Sequence, residues 1–344
     1  MLTTITDSLT LSIVCFIIAA IAIALAGIRL TRVADKLADK TGWGEALVGA
    51  LLLGGSTSLP GIITSVTAAL DGRASLAVSN AVGGIAAQTV FLALADLTYP
   101  KANLEHAAAS VANLTQGTLL VTLLAIPLLA VFNPAVTVFG IHPASIVLIL
   151  GYLFGLYLIS KAKTEPMWLP ETTDDTQAED EDGDEIADSM LSLWLQFVPL
   201  MLVIGSAGYV VAKTGGAIAA QTGLSETVVG STLTAISTSL PELVTAIAAV
   251  QQGALTLAIG DIIGGNCFDV LFVAFADIAY QDGSIYHAIS DREGFIIALT
   301  ILMTGSLLLG LLRRERYGIG KIGFESFLII MLYVGGMAVV LASR

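Results

Sequence analysis

Two short runs carry the chemistry open to this sequence. One is Ser56-Thr57-Ser58-Leu59-Pro60; the other is Ser237-Thr238-Ser239-Leu240-Pro241-Glu242. Each sets hydroxyls beside a proline inside an apolar stretch. A proline within a helix removes one backbone donor and clashes with the carbonyl four residues earlier. The carbonyls of Ser56 and Ser237 therefore lose their usual partners. Freed carbonyls and hydroxyls are hard oxygen ligands, suited to Na⁺ and Ca²⁺. A proline kink braced by serine back-bonding explains one such run as well; it is a poor account of two matching runs.

Two carboxylates supply charge. Glu242 follows Pro241, about four residues or roughly 6 Å from the midpoint of its apolar segment. An isolated acid there costs at least about 2.5 kcal/mol, which marks it as functional by default. Asp269 lies near the middle of the next segment. The adjacent Gly264-Gly265 pair is expected to let that helix approach the broken one closely. No Lys or Arg stands in the middle of an apolar segment to pair either acid. Asp261 lies two turns before Asp269, about 12 Å away, and reads equally as part of an access path or as a helix cap near the surface. Asp96, Asp277, Glu45 and Glu226 fall at segment ends, where solvation at the membrane interface is expected. His106, His142 and His287 fall in expected loops without metal-ligand spacing. No Ser/His/Asp motif is present, and Asp261 and Asp269 share one helix rather than facing each other as an aspartyl protease requires. The chain is not expected to be an enzyme.

The elements that hold these residues come in two copies. Residues 45–97 and 226–278 align without a gap, with more than a third of the positions identical. Matching prolines and glycine pairs in apolar segments of both halves point to a binding site between repeats. Ten apolar segments can be read, near 9–28, 45–70, 74–97, 111–132, 144–161, 191–213, 226–250, 254–278, 293–312 and 320–341. A helix needs about 20 residues to cross the hydrocarbon core. Apolar residues make up 56% of the chain and charged ones 12%, against about 25% charged in soluble domains. Mean hydropathy is +0.87. The expected fold class is an all-α membrane protein of about ten transmembrane helices.

Basic residues orient it. With the N-terminus outside, 11 Lys and Arg residues fall on the cytoplasmic side, and only Arg73, Lys213, Arg292 and Arg344 fall outside. Both termini are then outside, and the helices holding Pro60 and Pro241 run in opposite directions. This is an inverted-topology repeat of two five-helix halves, residues 1–161 and 191–344. The expected location is the plasma (inner) membrane. Residues 162–190 form the linker between the halves. Ten of the 28 acids fall between Glu171 and Asp188, and the remaining 18 nearly balance the 15 bases. The net charge of −13 therefore reflects a cytoplasmic linker too polar to fold. It is not an EF-hand loop, because Ala178 and Ser189 would occupy ligand positions. The N-terminus lacks a basic region and a cleavage site, so its apolar stretch reads as a first span. Cys15 and Cys267 read as small buried residues.

Ser-Thr-Ser-Leu-Pro-Glu at 237–242, with Gly260-Asp261-Ile262-Ile263-Gly264-Gly265-Asn266-Cys267-Phe268-Asp269, resembles the second α-repeat of the sodium/calcium exchanger family, within the calcium:cation antiporters. The first copy resembles a degenerate α-repeat. The resemblance implies an antiporter that exchanges Ca²⁺ for Na⁺ or another monovalent cation. It carries the family's motif residues onto Thr238, Ser239, Glu242 and Asp269, and onto Thr57, Ser58, Gly61 and Gln88 in the first copy. The family has an acid where Gly61 stands, and Ser-Asn-Ile-Phe-Asn where this chain has Gly84-Ile85-Ala86-Ala87-Gln88.

The expected metal ligands are Glu242, Asp269, Thr238, Ser239, Thr57, Ser58, Gln88, Ser237 and Ser56. The expected function is secondary-active antiport of Ca²⁺ against Na⁺ or H⁺ by alternating access. An antiporter of the same fold working on Na⁺/H⁺, Mg²⁺ or Mn²⁺ is the second reading. A non-transporting sensor or an intramembrane enzyme is a remote third. No cofactor beyond the transported ions is expected. The expected partners are the lipid bilayer and inorganic cations, with no nucleic acid.

Overall fold

The computed structural model describes residues 5–41, 55–99, 103–171, 189–315 and 323–343. Glu45, Lys101, Arg316, Lys321, Arg344 and the acidic stretch 172–188 lie outside the described residues. The helices are α1 (Leu9–Thr41), α2 (Leu59–Leu70), α3 (Ala74–Asp96), α4 (Leu104–Ala107), α5 (Val111–Phe132), α6 (Pro143–Thr164) and α7 (Met190–Thr222). They continue as α8 (Glu226–Thr238), α9 (Leu240–Gln252), α10 (Leu255–Ala279), α11 (Ile285–Ala288), α12 (Asp291–Arg313) and α13 (Phe324–Ala342). Among the described residues, eight helices are long and apolar enough to cross a membrane. The pair α8 and α9 forms a ninth span, bent by 50° at Ser239. The tenth expected segment is represented by the shorter apolar helix α2.

Local chemistry sets the breaks. Ser225 Oγ accepts a hydrogen bond from Val228 N (3.2 Å) and starts α8. Gly223 and Gly253 take positive φ, 75° and 87°, and stop α7 and α9, as glycine does past a helix end. Pro60 and Pro241 each take the second position of a restarted helix, after Ser58 and Ser239.

The repeat runs further than residues 45–97. Helices α1 and α7 have the same length, 33 residues, and start at Leu9 and Met190, which share the offset between residues 45 and 226. The same shift carries α2 onto α9, α3 onto α10, α4 onto α11, and α5 and α6 onto α12 and α13. Helices α1 and α7 pack along each other. Each also presses a glycine on the other half's break. A Cβ built on Gly27 would lie 2.3 Å from Pro241 Cγ, and one built on Gly208 would lie 2.8 Å from the Pro60 carbonyl oxygen. Helix α3 is buried throughout, whereas α1 shows most of its surface. The core therefore centres on the repeated segments.

Candidate ion site

The two breaks meet. Ser58 Oγ donates to Asp269 Oδ1 at 2.5 Å. Gln88 Nε2 donates to Ser239 Oγ at 3.1 Å and to Asp269 Oδ2 at 2.8 Å. Ser58 corresponds to Ser239 in the repeat, and Gln88 to Asp269. The serine contacts are thus one bond made twice, and the Gln88–Asp269 bond joins the two halves. All four side chains are buried.

The remaining sequence-predicted ligands sit around this knot. Thr57 and Glu242 line a cavity of about 260 Å³, together with Ser58, Gln88, Thr31, Gln116 and Asp261. Ser56 and Ser237 are buried beside the breaks. Thr238 Oγ1 donates back to the carbonyls of Thr234 (3.0 Å) and Ala235 (3.2 Å), so its proton is engaged within its own helix. Asp261, an exposed residue, also lines the cavity.

Glu242 Oε2, Gln88 Oε1 and Gln116 Oε1, on side chains that line the cavity, are buried without a hydrogen-bond partner, as is Asn266 Oδ1 on α10. All four are acceptors. Buried acceptors without donors are costly, and a cation is the complement that satisfies them. Among the described residues no three His, Cys, Asp or Glu side chains are arranged to hold a metal ion. An ion held here is therefore met by hydroxyl, amide and carbonyl oxygens and at most two carboxylates. Gln116 and Asn266 were not singled out in the sequence. Their signal was an amide inside an apolar segment.

Gly61 holds the missing first-copy acid's place. A Cβ there would lie 2.5 Å from Phe272 Cε2. The Phe272 ring has taken the volume that a side chain at 61 would need.

The cavity is one-sided. Thr31, Ile159, Thr245 and Asp261 lie along their helices toward the face that carries the linker. On the far face Arg73 Nη1 meets Glu226 Oε1 at 2.6 Å, and Lys213 Nζ meets Asp71 Oδ1 at 2.6 Å. These pairs tie α2 and α3 to α7 and α8.

Four expectations need correction. Gly264 and Gly265 do not pack on the broken helix: Gly264 faces the Gln116 amide, and nothing lies within 4 Å of a Cβ on Gly265. Asp96 and Asp277 are fully buried rather than solvated, because each caps a short helix. Glu226 is held by Arg73. His106 and His287 lie in α4 and α11, and His142 caps α6. Cys15 and Cys267 are free.

The sequence pattern described as "Sodium/calcium exchanger protein" matches residues 11–161 and 191–342. The chain belongs to the sodium/calcium exchanger family. That family is one of cation antiporters rather than enzymes, and this member is a multi-pass integral membrane protein. The putative antiporter CaxA of Alkalimonas amylolytica is 29% identical over 311 residues, 89% of this chain and 91% of that protein. The inner membrane protein YrbG of Escherichia coli (strain K12) is 26% identical over 323 residues, again 89% and 91% of the two chains. The fold matches the sodium-calcium exchanger NCX_Mj with TM-score 0.59 at 18% identity, covering 98% of this chain and all of that one. It matches the H⁺/Ca²⁺ exchanger CAX with TM-score 0.65 at 14% identity, covering 96% and 85%. This exchanger therefore has the two-repeat helical fold of both.

Proposed function

We propose that this exchanger moves Ca²⁺ against Na⁺ or H⁺ by alternating access, with the ion held between the two breaks. Glu242 is the principal charged ligand and Asp269 the second. Thr57, Ser58, Gln88, Thr238, Ser239, Ser56 and Ser237 supply neutral oxygens from hydroxyls and carbonyls. The observation that carries the reading is the set of buried acceptors without donors around the Ser58–Asp269 and Ser239–Gln88 contacts. Access is from the linker face in this conformation, with the far face closed by the Arg73–Glu226 and Lys213–Asp71 pairs. The excess of Lys and Arg makes the linker face cytoplasmic and puts both termini outside, in a plasma (inner) membrane. The ions are cargo, and the mechanism needs no resident cofactor.

One observation favours a second reading, in which the same fold carries Na⁺/H⁺ or a divalent ion such as Mg²⁺ or Mn²⁺. Phe272 fills the place of a first-copy carboxylate, so the site has fewer charged ligands than the family pattern. Proteoliposome flux measured across Ca²⁺, Mg²⁺, Mn²⁺, Na⁺, K⁺ and pH gradients tests both. Ca²⁺ uptake driven by an outward Na⁺ or H⁺ gradient is expected. Uptake of another ion in its place selects the second reading, and no counterflow with any of them removes the transport reading altogether.

A further inference from the structure

The repeat builds the same buried corner twice, on opposite faces. In the second copy Asp277 ends a span and caps α11. Its Oδ1 accepts from Ile285 N (3.1 Å) and its Oδ2 from His142 N (2.8 Å). In the first copy Asp96 does the same for α4, accepting from Leu104 N (2.7 Å) and Gly323 N (3.4 Å). The histidine after the cap matches too. His287 Nε2 meets the Asn133 carbonyl, and His106 Nδ1 meets the Arg314 carbonyl, both at 2.6 Å. Every residue of one corner is the repeat counterpart of its equivalent in the other, and two of the exchanges bring in a carboxyl. Glu105 stands for Tyr286, and Glu325 for Ala144.

The serine of each corner shows how the two differ. In the second corner Ser145 Oγ donates to Asp277 Oδ2 (2.7 Å) and lies 2.9 Å from Tyr286 Oη. A hydroxyl has one proton. With that proton on Asp277, the phenol must donate to Ser145, and the chain runs Tyr286 to Ser145 to Asp277. In the first corner Ser326 Oγ donates instead to Glu105 Oε1 at 2.5 Å. Ser326 thus satisfies one oxygen of Glu105. Its other oxygen, Oε2, is buried without a partner, and Glu105 is only 2% exposed. That oxygen points at the Gly323 turn, where a Cβ would lie 2.9 Å away, and the Gly323 amide is bonded to Asp96.

We infer that Glu105 is a proton-binding site on the linker face, separate from the transport site, and that the bound proton holds α4 against α12 and α13. The ligand is a proton rather than a metal ion, since among the described residues no three carboxylates are arranged to share one. Among the described residues, charged and titratable groups surround it. Asp96 faces it from α3 and Glu325 from α13. Arg313 at the end of α12 pairs with Glu325 at 3.4 Å, and the Arg314 Nε donates to the His106 carbonyl on α4 itself. Helix α10 also touches α4, and Asp261 near its start lines the transport cavity. Burial, and then the charge of Asp96, push the Glu105 carboxyl up to about 7. Burial likewise pushes the Tyr286 phenol up, so that its counterpart keeps its proton. A carboxyl raised on folding stabilises the corner below its ordinary range, and that contribution is lost as pH rises through about 7.

The test is hydrogen exchange of residues 104–107 in the purified full-length protein, corrected for the intrinsic dependence on pH. Protection is expected to fall roughly tenfold per pH unit between the ordinary carboxyl range and about 7, and to level off above it. In Glu105→Gln, which keeps the shape and a donor, protection should depend less steeply on pH than in the wild type. Infrared difference spectra give a second reading: a protonated-carboxyl band that titrates near neutral pH in the wild type and vanishes in Glu105→Gln. Equal pH dependence in both proteins overturns the proposal. If Glu105→Gln does not fold, a wild-type protection profile that is flat from about pH 5 up to neutral overturns it alone. Neither measurement uses flux, so failure here leaves the transport reading standing and failure there leaves this one.

Discussion

Glu242 is the proposed principal ligand of the transported ion. Its Oε2 is buried in the cavity wall without a donor, and a charge so placed needs a counter-ion. Glu242→Gln keeps the volume and removes the charge. Flux in proteoliposomes should fall to background while the protein still purifies as a folded species; wild-type flux would remove Glu242 from the mechanism. Gly61 is the other decisive position. Restoring an acid there looks simple in sequence, where only the missing carboxylate is visible. The structure shows that Phe272 must be cut back first. Gly61→Glu alone should therefore destabilise by overpacking, about 1–3 kcal/mol. Gly61→Glu with Phe272→Ala should tighten Ca²⁺ binding in calorimetry. Tighter binding by the single variant would mean that the ring moves aside freely.

At the scale of elements, the two long helices rest on the two breaks. Gly208 touches the Pro60 backbone, which cannot swing away as a side chain could. Gly208→Ala should lower the thermal midpoint and slow flux. Gly205→Ala is the control, since its Cβ would lie 4.0 Å from Leu59, an ordinary contact. Equal effects of the two would show that helix propensity, not the contact with the break, is at work. Much of this level was legible in the sequence. Proline with hydroxyls, recurring in apolar segments, located both breaks, and hydropathy located the spans. What was not legible depended on packing. The Gly264-Gly265 pair promised a helix crossing and instead faces the cavity. Asp96 and Asp277 looked solvated because they stand at segment ends. They are buried because each reaches eight residues ahead to cap a short helix, and a cap at that distance has no period to read. The repeat was visible where identity is high, and its continuation to Ser145 and Ser326 shows only as matching hydrogen bonds.

For the whole molecule, charge sets the exchange. The site joins two halves that match in geometry but not in charge: the second contributes Glu242 and Asp269, the first only neutral Ser58, Thr57 and Gln88. Two carboxylates balance one Ca²⁺ or two monovalent ions. Three monovalent ions would leave an uncompensated charge within the membrane, at a cost of at least about 2.5 kcal/mol. Exchange of one Ca²⁺ for two Na⁺ or H⁺ is therefore expected, and it is nearly electroneutral. Flux measured at clamped membrane potentials should then change little with voltage. The acidic linker is not part of this count, and deleting residues 173–187 should leave flux unchanged within about twofold. A steep dependence on voltage, with three monovalent ions moving per Ca²⁺, would refute the two-carboxylate site. It would require a third acid in reach of the ion. Asp261 is the one that already lines the cavity, and Asp261→Asn would then have to bring the coupling back to two.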